Sequence, residues 1–208
     1  MIKTKSFLKL MSNINIAKFL TNSSIEGPGS RFVIWFQGCK LNCRGCSNQE
    51  MLPLEKKFFV PTSLILEKIL ESKEKYDLEG ITLLGGEPFL QPTALKEIID
   101  FCHKINLTII CFTGYLYENI YEEYQEILNK IDILIDGPFL IRQLDRTRRL
   151  IGSKNQRVLK LTTTYQDNDY FEQPHSEVEV QIYKNRVYIN GDGVVFDNEV
   201  GEFWFKLD

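Results

Sequence analysis

The chain has 208 residues, 43% of them hydrophobic and 25% charged, and its 25 Lys plus Arg against 28 Asp plus Glu give a formal charge of −3. That describes one globular domain with at most an appendage and excludes disordered, collagen-like and disulfide-miniprotein classes. The near-neutral balance also argues against direct nucleic-acid binding, no apolar stretch approaches the ~18 residues of a membrane helix, and MIKTKSFLKLMSN lacks the apolar core and cleavage site of an export signal, so a cytoplasmic location is expected.

The first element to stand out is the β-branched and aromatic run from Ser30 to Gln37, bounded by Gly27-Pro28-Gly29 and Gly38. It reads as a buried strand feeding a cysteine loop. After Pro53 a second unit begins, with a helix from Pro61-Thr62 that places Leu66, Ile69 and Leu70 on one face. The strand Glu79–Leu84 follows and stops at Gly85-Gly86-Glu87-Pro88. A helix over Thr93–Lys104 turns Leu95, Ile98, Ile99 and Cys102 inward, and a strand Leu107–Phe112 ends at Thr113-Gly114. A third helix, Glu118 to Lys130, leads into strand Ile131–Ile135, which stops at Asp136-Gly137-Pro138, and Arg157–Thr164 is the last strand of the series.

Strands alternating with helices predict an α/β fold, a layer or partial (βα) barrel of parallel strands over residues 1–165. Ligands of such sheets sit at the carboxyl ends of the strands. Each suggestive cluster lies at such an end: Cys39 to Cys46, Gly85 to Glu87, Thr113-Gly114 and Asp136-Gly137. From residue 166 the pattern changes. Glu177–Ile182 alternates strictly, and with turns at Lys184-Asn185 and Gly191-Asp192-Gly193 the segment 166–208 reads as a small antiparallel β appendage, stranded to about Leu207.

Three of five cysteines fall in Cys39-Lys-Leu-Asn-Cys43-Arg-Gly-Cys46, a C-x3-C-x2-C loop. In a chain without an export signal this clustering favours metal or cluster ligation over disulfides. Structural zinc takes four protein ligands, whereas an iron–sulfur cube held by three thiolates keeps one iron open. A zinc site completed by Cys102, Cys111 or His103 is disfavoured because those residues fall on helix and strand cores, and His103 and His175 have no companions.

The loop resembles that of the radical S-adenosylmethionine (SAM) enzymes. Within that superfamily the chain resembles the activases of glycyl-radical enzymes, most closely those of the anaerobic (class III) ribonucleotide reductase. The resemblance is carried by Glu26-Gly27-Pro28-Gly29-Ser30-Arg31, Gln37-Gly38-Cys39 to Cys46, Gly85-Gly86-Glu87-Pro88, Thr113-Gly114-Tyr115, Asp136-Gly137-Pro138-Phe139 and Gly152 to Arg157, in that order. It implies a [4Fe-4S] cluster on Cys39, Cys43 and Cys46, and SAM on its open iron. It further implies reductive cleavage to methionine and a 5′-deoxyadenosyl radical, with hydrogen abstraction from a glycine of a partner enzyme and a flavodoxin- or ferredoxin-type reductant.

The same resemblance places Gly45, Ser47, Gly85, Gly86, Glu87 and Asp136 against SAM, with Gly45 where most of the superfamily carries an aromatic. Gly85-Gly86 also reads simply as a turn, and Asp136 as a turn-forming Asp before Gly137. Six cations between Arg142 and Arg157 face one acid, Asp145, which reads as a solvated helix face or as a surface for the partner or the SAM carboxylate. Two other functions fit these residues: a radical SAM enzyme acting on another peptide or small molecule, and a non-catalytic iron–sulfur electron carrier.

Overall fold

The computed structural model describes residues 11–174, 177–183 and 186–191. Seven strands form one sheet in the order β3-β1-β2-β4-β5-β6-β7: β1 Asn13–Ser23, β2 Arg31–Phe36, β3 Phe58–Pro61, β4 Gly80–Gly85, β5 Thr108–Phe112, β6 Ile133–Asp136 and β7 Arg157–Lys160. Three helices, α1 Thr62–Tyr76, α2 Pro92–Lys104 and α3 Tyr117–Leu128, join β3 to β4, β4 to β5 and β5 to β6. β2, β4, β5 and β6 are parallel, as the alternation predicts. The sheet is open and mixed, because β1 and β3 flank one side antiparallel and β7 pairs antiparallel with β6.

The last point corrects the expectation that Arg157–Thr164 closes a parallel series. Between β6 and β7 the described chain has one 3-10 turn, Ile141–Gln143, and an isolated bridge between Leu144 and Ser153. The connection 137–156 is long enough for a crossover but carries no α-helix to pack across the sheet, and the chain returns antiparallel along the free edge of β6. The cationic run Arg142 to Arg157 is therefore loop and strand, not a helix face.

All six residues of β2 are buried, the pattern of a strand covered on both faces. One face of the sheet, with Phe32, Ile34, Phe36, Ile81, Leu83, Ile109, Cys111 and Leu134, joins the buried residues of all three helices in one core. No α-helix among the described residues covers the opposite face. There Ile110, Ile133 and Ile135 pack against Ile151, Tyr165 and Phe171, while Val33 and Trp35 pack against Ala17, Leu20 and Met51. On α1 the buried stripe is Ile65, Ile69 and Ser72 with Leu66 beside it. Leu70, expected to face inward, is 40% exposed, because the stripe is centred one position earlier and leaves Leu70 at its edge.

Arg31 is fully buried at the amino ends of the parallel strands, the end remote from the cysteines. Its Nε donates to Thr82 Oγ1 at 2.8 Å, its Nη1 to Pro28 O and Tyr165 OH at 3.0 and 3.1 Å, and its Nη2 to Ile81 O at 2.7 Å. A buried guanidinium is tolerated because its donors are paired, and here the pairing fastens the β1–β2 loop and Tyr165 to the sheet.

Two further strands, β8 Val178–Tyr183 and β9 Arg186–Gly191, form a separate antiparallel hairpin with Val180 opposite Ile189. Val180 and Ile182 are 55% and 64% exposed. Its expected turn at Lys184-Asn185, the Gly193 turn, the strand region to Leu207, His175 and the start of the amino-terminal segment lie outside the described residues. No helix among the described residues is long and apolar enough to cross a membrane.

Candidate cluster and SAM site

Gly38, in a left-handed conformation with φ 99°, turns the chain out of β2. From there to Leu52 the chain makes an excursion whose two feet are tied together. Gly38 N donates to Met51 O at 2.8 Å, Cys39 N to Leu52 O at 3.0 Å, and the Gln37 side chain to Pro53 O at 2.8 Å. The end of β4 then fastens the near foot, because Gly86 N donates to Phe36 O and Glu87 N to Gly38 O, both at 2.8 Å. Within the loop, Asn42 at φ 47° and Gly45 at φ 76° give two left-handed residues, and Cys46 N reaches back to Cys43 O at 3.1 Å. Such tight reversal in a short span brings three thiols to one side of a strand end.

Cys39, Cys43 and Cys46 are part-exposed and free. Burial pushes the Cys39 thiol up, so ligation there displaces a proton. Cys102 and Cys111 are buried in the helix-side core and desolvation raises both thiols far, which makes them inert core residues. No group of three His, Cys, Asp or Glu side chains among the described residues is gathered to hold a single metal ion. The donor set fits a cube instead, since thiolates on three corners each take a different iron and need no common point.

The three cysteines line one cleft with Ser47, Gly85, Gly86 and Glu87, and Thr113 and Gly114 line it beside Glu87. The far wall comes from the segment after β6, through Phe139, Gly152 and Gln156. Gln156 braces that wall: its Oε1 accepts from Gly152 N and Ser153 N at 3.1 and 3.0 Å, and its Nε2 donates to Gly137 O at 3.2 Å. The stretch Gly152 to Arg157 carries part of the resemblance, but the sequence gives Gly152 and Gln156 no role of their own. Its signal was a polar amide following a Gly-Ser pair just before a strand.

Glu87 is almost fully buried. Its Oε1 accepts from Phe89 N at 3.0 Å and Thr113 Oγ1 at 2.9 Å, and its Oε2 from Gly114 N at 2.9 Å, so it ties the end of β4 to the end of β5. Desolvation outweighs these hydrogen bonds and pushes its carboxyl up to about 7. Glu26, from the β1–β2 loop, is the second acid of the cleft, and no Lys or Arg among the described residues lines it. The cleft therefore suits a cationic ligand, which a sulfonium bearing an ammonium group is.

Two expected SAM residues sit elsewhere. Asp136 is fully buried off the cleft, where its Oδ1 accepts from Arg157 Nε at 2.9 Å and its Oδ2 from Tyr117 N at 2.8 Å, with Arg157 Nη2 against the same oxygen. It organises the carboxyl end of β6 together with α3 and β7. Gly45 packs on Ile141, where a Cβ would stand 2.5 Å from Cδ1. Gly86 lines the cleft, yet a Cβ there would meet backbone first, 2.3 Å from Gly38 O and 2.9 Å from Met51 O.

A three-thiol loop at the carboxyl ends of parallel strands, beside an acidic cleft, defines a protein built around an iron–sulfur cluster. Residues 25–159 match the family described as 4Fe-4S single cluster domain, and the chain belongs to that family. It is similar to the anaerobic ribonucleoside-triphosphate reductase-activating protein of Haemophilus influenzae, 28% identical over 155 residues that cover 69% of this chain and 96% of the relative. It is 30% identical to the protein of that name from Enterobacteria phage T4 over 139 residues, 64% of this chain and 86% of the relative. Against the pyruvate formate-lyase-activating enzyme of Clostridium pasteurianum it is 35% identical over 114 residues, 53% of this chain, and spans about half of that enzyme, 46%.

Proposed function

We propose that this chain is a radical SAM activating enzyme that installs a glycyl radical on a partner enzyme, the anaerobic ribonucleotide reductase. The observation that carries the reading is the convergence of Cys39, Cys43 and Cys46 with the Gly85-Gly86-Glu87 turn on one cleft, in a chain similar along nearly the whole length of a reductase-activating protein. A [4Fe-4S] cluster held by Cys39, Cys43 and Cys46 would supply the one electron needed for reductive cleavage of SAM to methionine and a 5′-deoxyadenosyl radical able to take hydrogen from the partner's glycine.

The chain's own part is positioning and exclusion. The three thiolates hold the cluster. Ser47 and the backbone at Gly85 and Gly86 border SAM beside it, Glu26 and, in its ionised form, Glu87 provide the anionic lining, and Asp136 supports the site through Arg157 rather than by contact. Behind the site lies a partial (βα) barrel, a reading supported by the crossovers placing all three helices on one face and leaving the other for loops and ligand. We divide the chain into a core of 1–165 and an appendage of 166–208, and the hairpin's place outside the main sheet supports that division, although Phe171 extends the core's packing past the boundary. A reducing cytoplasm suits a function that needs free thiols.

The test is anaerobic reconstitution with iron and sulfide, then reduction with SAM and the reductase. One cube per chain, release of 5′-deoxyadenosine and a glycyl radical signal in electron paramagnetic resonance are expected, and Cys43→Ala should abolish all three. Zinc occupancy with no iron uptake under these conditions would overturn the reading.

A further inference from the structure

The cysteine loop stands between two depressions of opposite character. On one side is the cleft, with Glu26 and Glu87 and no cation in its lining. On the other, Cys43 also borders a groove lined by Leu41, Arg44, Phe139, Ile141 and Arg142, to which no acidic residue among the described ones contributes. Its rim exposes apolar surface, with Leu140 39% and Ile141 44% accessible.

Three of the six cations of the neighbouring segment are committed, and the exposed Arg146 and Lys154 do not line the groove. Arg148 pairs with Asp145 at 2.7 Å, Arg149 lies 4.0 Å over the Tyr170 ring, and Arg157 is held by Asp136 and Glu118. Arg44 and Arg142 are exposed and form no ion pair among the described residues. An otherwise acidic chain thus keeps two available guanidinium groups around an apolar floor, beside one cluster ligand.

We propose that this groove is the docking surface for an acidic one-electron carrier protein. The inference rests on the radical SAM reading, in which each cleavage requires an electron from outside. In the docked complex the carrier loses one electron and the cluster gains it, with no bond made or broken and no proton moved. Cys43 borders both depressions, so a carrier seated in the groove lies beside a thiolate ligand without entering the cleft that SAM and the partner's glycine occupy. A small apolar floor ringed by charge is the chemistry of a transient contact, in which guanidinium groups speed encounter with an acidic surface and salt screens them.

The probe is a fluorescently labelled flavodoxin with an acidic surface, titrated with the full reconstituted chain at low and high ionic strength. Arg142→Glu and Arg44→Glu should each raise Kd by about tenfold at low salt and flatten its salt dependence. Lys68→Glu, the same charge change on the helix layer, should leave Kd within about twofold. SAM cleavage driven by dithionite should persist in Arg142→Glu while flavodoxin-driven cleavage falls with the affinity. Unchanged flavodoxin affinity would overturn the proposal. So would an equal fall of dithionite- and flavodoxin-driven cleavage, or a loss of affinity confined to the glycyl-radical enzyme, which would assign the groove to that partner. Flavodoxin binding that responds to Arg142 in a wild-type fold that cleaves no SAM with dithionite would uphold the docking surface and refute the radical SAM reading instead.

Discussion

One methyl group at Gly86 would meet the backbone of the cysteine loop before it met any ligand. Its distances to Gly38 O and Met51 O, 2.3 and 2.9 Å, are below ordinary contact, and both atoms belong to the fastened feet of the loop. Gly86→Val is therefore expected to lower iron per chain together with SAM cleavage, and to destabilise the cluster-free protein by about 2–3 kcal/mol through overpacking. Iron and sulfide analysis beside deoxyadenosine yield checks this; full cluster content with SAM binding alone lost would show that the glycine serves ligand approach. The cysteines were legible because ligation depends on residue type and spacing, both visible in a string of letters. The reason for Gly86 was not, since which backbone crosses a glycine is decided by tertiary pairing. Asp136 shows the same limit: a carboxylate at a strand end is visible, but the guanidinium that claims it lies on a strand whose direction was misread.

At the level of elements, β6, β7 and α3 are joined by that carboxylate. Arg157 spans Asp136 and Glu118, and Asp136 in turn caps the first turn of α3 through Tyr117 N. Arg157→Met leaves a buried carboxylate with one backbone donor. The expected loss is about 2 kcal/mol, below the usual cost of breaking a buried pair because Arg157 is part-exposed. Arg157→Lys should recover less than half, as a point charge replaces a fork, and adding Asp136→Asn to Arg157→Met should restore most of the loss. Urea denaturation of wild type, these three variants and Asp136→Asn alone measures it; additive losses in the double variant would show that the two residues act independently. The helices were readable from their period, and the parallel strands from apolar, β-branched runs that stop at glycine turns. β1 escaped because Asn13, Asn15, Lys18 and Asn22 interrupt its apolar pattern, although Asn15 is buried with its side chain bonded to Glu55 O and Lys57 N at 2.9 Å each. A satisfied buried amide looks like a loop residue in a sequence.

For the whole molecule, the site needs the main sheet and the segment that walls the cleft, and the hairpin is part of neither. A chain ending at Pro174 should load iron and cleave SAM as the full chain does. One ending at Thr164 should be markedly less stable, because it loses Tyr165 from Arg31 and the buried Phe171. Thermal unfolding with iron content separates these outcomes, and impaired loading in the longer truncation would give the hairpin a part in the core. The change of texture after Tyr165 was visible in the sequence, but not that residues up to Phe171 still pack on the sheet face opposite the three helices, because a polar stretch hides two aromatic anchors. The fastening of the cysteine loop also has an order in time. Its clamps, Met51 and Leu52 and then Gly86 and Glu87, are all synthesised after the thiols they position. As the chain leaves the ribosome, iron reaching it early meets three unorganised thiolates, and durable loading waits until β4 has emerged and paired with β2.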